Sequence, residues 1–217
     1  MTKSKKYFLS AAVLLVLFAA LLVAVKFIDV GAIGPQGSEI GLSAINGQVR
    51  DALGFSDSWY GITDWLGILS ILVALGFAFF GVCQLVHRRS FKKVDGDIYL
   101  LAGVYVLAAA VYVLFELFVV NYRPVILEDS LEASFPSSHT VLVICFMGTA
   151  VHQFLCRIKN RPLKVVAATV GSAVIAVMVI GRLLSGVHWF TDILGGVLIG
   201  SAIVLAYLGV YAKIKSH

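Results

Sequence analysis

Residues 98–124 read IYLLAGVYVLAAAVYVLFELFVVNYRP, an apolar and aromatic run broken inside only by Glu116 and closed by Asn121-Tyr122-Arg123-Pro124. A helix needs about 20 such residues to cross the hydrocarbon layer of a bilayer. The run is too long for a transmembrane strand and lacks the period-two alternation of one. Working outward from Ile98–Val120, five more runs of the same kind appear: Tyr7–Ile28, Ile62–Val86, Thr140–Cys156, Val165–Leu184 and Phe190–Tyr211. The sequence therefore predicts an all-α, polytopic membrane protein, a bundle of six transmembrane helices forming a single domain over residues 1–217. Composition agrees. The chain is 60% hydrophobic and 13% charged, with a mean hydropathy of +0.96, against about 45–50% and about 25% for soluble domains. That balance excludes a soluble globular protein, a disordered chain and a nucleic-acid-binding domain.

The charges report topology. Thirteen of the 17 Lys and Arg residues fall at the N-terminus, after spans two and four, and at the C-terminus; only Lys26, Arg50, Arg123 and Arg182 fall on the other side. The positive-inside rule then predicts cytoplasmic termini, and six spans bring both ends to one side. Small size and short loops point to a bacterial plasma membrane. Lys3, Lys5 and Lys6 before the first span imitate a signal peptide, but the apolar run exceeds the ~7–15 residues of such a segment and no A-x-A site closes it. It is read as an uncleaved first helix. Cys83, Cys145 and Cys156 are odd in number and form no CxxC pair, which suits small buried hydrophobes rather than disulfides or metal ligands. Between the first two spans, Ile40, Leu42, Ile45, Val49 and Leu53 recur at helical spacing. They predict either an amphipathic helix at the outer interface or an ordered loop packed on the bundle. Trp59, Tyr60 and Trp65 read as an aromatic interface anchor.

Polar residues near membrane depth are few and hence informative. The topology gathers Arg123, the segment Phe135-Pro136-Ser137-Ser138-His139, Arg182, and the pair His188 and Asp192 at the outer face. Guanidinium forks grip phosphate oxygens. A helix starting at Pro136-Ser137-Ser138-His139 offers free N–H groups to an anion, and the Ser137 hydroxyl adds a donor. His188 and Asp192, four apart, share a face if they lie on one helix; the carboxylate then holds one imidazole nitrogen protonated and leaves the other free to attack. His139 remains as the acid for a leaving oxygen. Singly, each residue has a plainer reading as an interface anchor, a helix cap or a structural pair; together on one face they point to phosphoryl transfer. Zinc on His139, His188 and Asp192 is disfavoured because the neighbouring arginines repel a cation. His87, His152 and His217 fall on the cytoplasmic half and are assigned no chemistry.

These residues resemble the type 2 phosphatidic acid phosphatase family, membrane relatives of the vanadium haloperoxidases. Its three motifs are K-x6-R-P, P-S-G-H and S-R-x5-H-x3-D. Here they read Glu116-x6-Arg123-Pro124, Pro136-Ser137-Ser138-His139 and Gly181-Arg182-x5-His188-x3-Asp192, within residues 116–192. The resemblance implies His188 as the nucleophile that becomes a phosphohistidine. Asp192 would orient it, and His139 would serve as acid and then base. Arg123, Arg182, Ser137 and the Ser138 N–H would hold the phosphoryl group. It implies no metal or other cofactor. The partners it implies are the membrane and a phosphorylated lipid substrate, hydrolysed as a phosphomonoester or diphosphate at the outer face.

Three positions depart. Ser138 replaces Gly, which matters only if the backbone there needs positive φ. Gly181 replaces Ser. Glu116 replaces Lys and turns a cation into an anion, two helical turns and roughly 10 Å from Arg123 if the helix continues. Glu116 is expected to pair with Arg123 or Arg182, to select a substrate with a cationic or hydroxyl group, or to mark a catalytically weakened phospholipid-binding relative. A lipid phosphotransferase using the same site is the other alternative. Glu128, Asp129 and Glu132 read as solvated loop charges, with substrate selection a second reading.

Overall fold

The computed structural model describes residues 1–127 and 129–216; Glu128 and His217 lie outside them. Among the described residues there are seven α-helices and no β-strand: α1 (Lys3–Phe27), α2 (Ser43–Leu53), α3 (Asp57–Arg88), α4 (Gly96–Leu117), α5 (Ser138–Arg157), α6 (Arg161–Leu184) and α7 (Phe190–Ile214). All but α2 are long and apolar enough to cross a membrane. The protein is an integral membrane protein of six spans.

Helix ends differ from the apolar runs because caps, not hydropathy, set them. The span beginning at Ile62 extends back to Asp57, where the Ser56 hydroxyl accepts the Trp59 N–H and Asp57 meets the positive end of the helix dipole. The span beginning at Thr140 extends back to Ser138, with Ser137 as its cap. The span predicted to reach Val120 stops at Leu117. Beyond it the chain bends so that residues 121–123 pair with 132–134: Arg123 N–H donates to Glu132 O at 3.0 Å and Ser134 N–H to Asn121 O at 2.9 Å.

Helices α5 and α7 form the centre, each with half of its spanning residues buried, against 17–28% in the others. Lipid is as apolar as leucine, so close packing has to bring membrane helices together. Glycines on α7 supply it. A Cβ at Gly196 would stand 2.8 Å from Thr140 Cβ, and one at Gly200 would stand 3.1 Å from Ile144 Cβ. This approach sets the start of α5 on the start of α7, where Ser137 N–H donates to Asp192 O at 3.0 Å. The outside of the bundle exposes Val16, Leu72, Phe79 and Val106, as a lipid-facing surface requires.

Ser4 Oγ donates to Gly209 O at 2.8 Å, so the start of α1 and the end of α7 share one end of the bundle. There Arg157 bridges Asp95 at 3.3 Å and Asp97 at 2.8 Å, and Arg88 meets Asp95 at 2.7 Å. The Arg88 hydrogen bond leads the effects that hold the Asp95 carboxyl below its usual range. At the opposite end, the segment between the first two spans carries the helix α2, packed on the bundle rather than left as a loop. It presents Ile45 and Leu53 outward and is seated on α7 through a polar contact. Asn46, fully buried, donates to Thr191 Oγ1 at 3.0 Å and accepts the Thr191 N–H at 3.2 Å.

Candidate active site

The end of the bundle opposite the termini gathers all three motif regions. Asp192 lies in the first turn of α7, fully buried. Its Oδ2 accepts the Trp189 N–H at 2.9 Å and the Ser134 hydroxyl, and Asn121 Nδ2 stands 3.4 Å from Oδ1. His188 precedes the helix, since α7 starts at Phe190. The expected sharing of one helical face is thus corrected: the pair is joined by a third residue. His188 Nδ1 is 3.8 Å from Asp192 Oδ2 but 3.0 Å from Ser134 Oγ. Because the Ser134 hydroxyl donates to Asp192, it can only accept from His188, which places the imidazole proton on Nδ1. Nε2 is left buried and without a hydrogen-bond partner among the described residues. Burial first, then the positive charges of Arg123 and Arg182, hold this imidazole well below its ordinary pKa, so it is neutral with a free lone pair.

Arg182, at the end of α6, is fully buried. Its Nη1 meets Thr63 Oγ1 and Asp64 Oδ1, each at 3.1 Å, and Nη2 donates to His139 Nδ1 at 2.7 Å. The guanidinium also lies 5.2 Å from the Tyr60 ring centre, a cation–π arrangement. Tyr60 therefore belongs to this cluster and is not simply an interface anchor. Trp65 is exposed, as an anchor would be. His139, in the first turn of α5, turns Nε2 toward Asp64 Oδ1 at 3.4 Å.

Arg123 lies on the irregular segment after α4 with its Nε 3.0 Å from Glu132 Oε2. The expected Glu116 pairing with Arg123 or Arg182 does not form, and Glu132 is an ion-pair partner rather than a solvated charge. The reason is the end of α4 at Leu117: Arg123 does not sit two turns along from Glu116 on one helix. Glu116 instead lines a cavity of about 380 Å³ between α3, α4 and α5, together with Asp64, Arg123, Ser138 and His139. A narrower cleft carries the same wall through Glu116 and Ser138 to Ser134 and His188.

The two serines of the second motif are placed differently. Ser137 is fully buried, and its hydroxyl caps α5, accepting the Thr140 N–H at 3.5 Å and the Thr140 hydroxyl at 3.1 Å. Ser138 lines the cavity. Its φ is not positive, so glycine is not needed there. Gly181 faces a space already filled. A Cβ there would come within 2.7 Å of Thr63 Cγ2 and 3.0 Å of Trp59 Cε3.

The PAP2 superfamily sequence model matches residues 108–215, the half of the chain that carries every motif residue above. The chain belongs to the PAP2 superfamily. This PAP2 chain also shares the fold of a solved relative, the crystal structure of a transmembrane PAP2-type phosphatidylglycerolphosphate phosphatase from Bacillus subtilis. The TM-score is 0.65 at 19% identity, over 96% of this chain and 98% of that one. Among curated proteins, none matches it by sequence. Two residues of this candidate site escape the three motifs. Ser134 precedes the second motif by two positions and carries no local signal. Asp64 has one: it is an ionisable residue just inside the second predicted span, where such residues are costly.

Proposed function

We propose that the protein is a membrane lipid phosphatase that hydrolyses a lipid phosphomonoester or diphosphate through a phosphohistidine at His188, at the outer membrane face. The observation that carries this reading is the buried, unpartnered His188 Nε2, with the Nδ1 proton held by the Ser134–Asp192 relay. A nucleophile needs a free lone pair and a fixed tautomer. In the first step Nε2 attacks phosphorus, the P–O bond to the lipid breaks, and His139 protonates the departing oxygen. In the second, His139 takes a proton from water, whose oxygen attacks phosphorus and breaks the P–N bond. Arg123 and Arg182 would bear the phosphoryl charge without a metal, and Ser138 would contribute from the cavity wall.

The cavity supports a lipid substrate. Its polar groups stand beside Ile68, Ile71 and Leu142, so a head group and the start of an acyl chain both find suitable surfaces. Glycerophospholipid monophosphates, including phosphatidylglycerolphosphate, are the first class to test. Glu116 on the same wall favours head groups that bring a hydroxyl or cation.

The test is phosphate release by the purified protein in detergent with EDTA present, from phosphatidic acid, phosphatidylglycerolphosphate and a prenyl diphosphate. Release is expected to survive EDTA and vanish in His188→Ala and His139→Ala, with an acid-labile, alkali-stable phosphoenzyme trapped on the wild type. Wild-type turnover in both variants would overturn the mechanism. A phosphorylated acceptor without free phosphate would reassign the protein as a phosphotransferase.

A further inference from the structure

The site holds two histidine–carboxylate pairs, and only one lies within the family motifs. The second joins His139 on α5 to Asp64 on α3, with Nε2 3.4 Å from Oδ1. The same Oδ1 stands 3.1 Å from Arg182 Nη1. One turn along α3, Gly67 makes room for the ring: a Cβ there would come within 3.1 Å of His139 Cδ2 and 3.5 Å of Nε2. Helix α3 thus both seats the imidazole and supplies its carboxylate.

We propose that Asp64 is the positioning residue that lets His139 act as the leaving-group acid beside two arginines; this rests on the phosphatase reading above. The groups facing His139 are Asp64 from α3, Arg182 from α6, Arg123 from the segment after α4, Glu116 and Tyr112 across the cavity on α4, and His188 from the turn before α7. Both arginines bring positive charge to the ring, and Asp64 is the carboxylate nearest to it. Arg182 Nη2 donates to Nδ1, and the single ring proton sits on Nε2 toward Asp64. A phosphate that draws Arg182 to itself frees Nδ1 to take a proton from solvent. Nε2–H then stays on Asp64 while Nδ1–H passes to the lipid oxygen as the P–O bond breaks and its electron pair leaves with that oxygen. Asp64 serves His139 through its charge at ion-pair distance, where the Ser134–Asp192 relay serves His188 through hydrogen bonds.

The test compares wild type, Asp64→Asn, Asp64→Glu and His188→Ala on two probes. Phosphatidic acid has an alcohol leaving group that needs a proton. para-Nitrophenyl phosphate has one that does not. For Asp64→Asn the expected result is a loss on the order of 10²-fold on phosphatidic acid. The first-turnover release of nitrophenol falls by a much smaller factor, since Arg182 also loses a partner, and the alkaline limb of the phosphatidic acid profile moves down by about one pH unit, because removing a carboxylate lowers the proton affinity of the ring. Asp64→Glu keeps the charge and is expected to recover most of the phosphatidic acid rate and the position of the limb. Equal losses on both probes in Asp64→Asn, with no shift in the profile, would overturn the proposal, as would an undiminished rate on phosphatidic acid. If Asp64→Asn does not fold, Asp64→Glu decides: a wild-type probe ratio and limb support the proposal, and altered ones overturn it. A wild type silent on both probes, like His188→Ala, would overturn the phosphatase reading and this proposal with it; an active wild type isolates the failure to Asp64.

Discussion

Arg123 is paired with Glu132 across the irregular segment that follows α4: the Nε–Oε2 distance is 3.0 Å, and the Arg123 N–H donates to the Glu132 carbonyl at the same distance. A loop carboxylate thereby occupies a guanidinium that the proposed chemistry needs for phosphate. The backbone hydrogen bond holds Arg123 in place whether or not the side chain of Glu132 is charged. Glu132→Gln is therefore expected to lower KM for phosphatidic acid several-fold while leaving kcat near wild type, because phosphate no longer displaces an anion. Steady-state kinetics in detergent check it. A raised KM would mean that Glu132 aims Arg123 rather than competing for it.

Ser134 transmits Asp192 to His188. Ser134→Ala removes the acceptor for the Nδ1 proton and leaves the carboxylate 3.8 Å away. The expected outcome is a fall in kcat on the order of 10²-fold with KM nearly unchanged. Ser134→Thr, which keeps the hydroxyl, should recover part of the loss. Equal activity of wild type and Ser134→Ala would show that Asp192 reaches the ring directly.

Gly181 stands where the family motif has serine. Restoring the hydroxyl in Gly181→Ser drives a Cβ to 2.7 Å from Thr63 Cγ2, an overpacking that costs about 1–3 kcal/mol. Thermal unfolding in detergent should show a lowered Tm, and Thr63→Ala in the same chain should recover part of it. Gly181→Ser with unchanged Tm would show that α3 and α6 can part at this level without cost.

The buried neutral state of His188 has a signed pH dependence. Its folded pKa lies well below the ordinary imidazole value because of burial and then the two arginines. The unfolded chain binds a proton there at about pH 6.5 and the folded one does not. Stability from this group is thus fully present above about pH 6.5 and is lost as pH falls below it. His188→Gln should flatten the acid side of the stability profile relative to wild type. In activity, the acid limb of kcat/KM that reports nucleophile protonation should lie below the ordinary imidazole pKa. An acid limb at or above that value would contradict a desolvated His188.

The spans are legible in the sequence because insertion depends on composition summed over about 20 residues, a property of the string. The six apolar runs became α1 and α3 to α7, with ends moved by caps at Ser56 and Ser137 and by the bend after Leu117. The motif residues were visible for a related reason: topology alone brings Arg123, His139, Arg182 and His188 to one end of a six-span bundle. Their partners were not visible. Spacing joined Glu116 to Arg123 and His188 to Asp192 by assuming unbroken helices. The helix stops short of Arg123 in the first case and begins after His188 in the second.

What the order of residues determined by itself was therefore the class of protein, the number of spans, and the end of the bundle at which the polar residues converge. Only the tertiary structure decided which of them touch. Asp64, Ser134 and Glu132 acquire their partners when α3 packs against α5 and α6, when residues 121–123 fold back on 132–134, and when the α7 glycines let α5 approach. The physical reason is range. Burying an apolar run is a local free energy that each segment carries alone, whereas a hydrogen bond between side chains from different helices exists only once packing has set their distance to within a few tenths of an ångström.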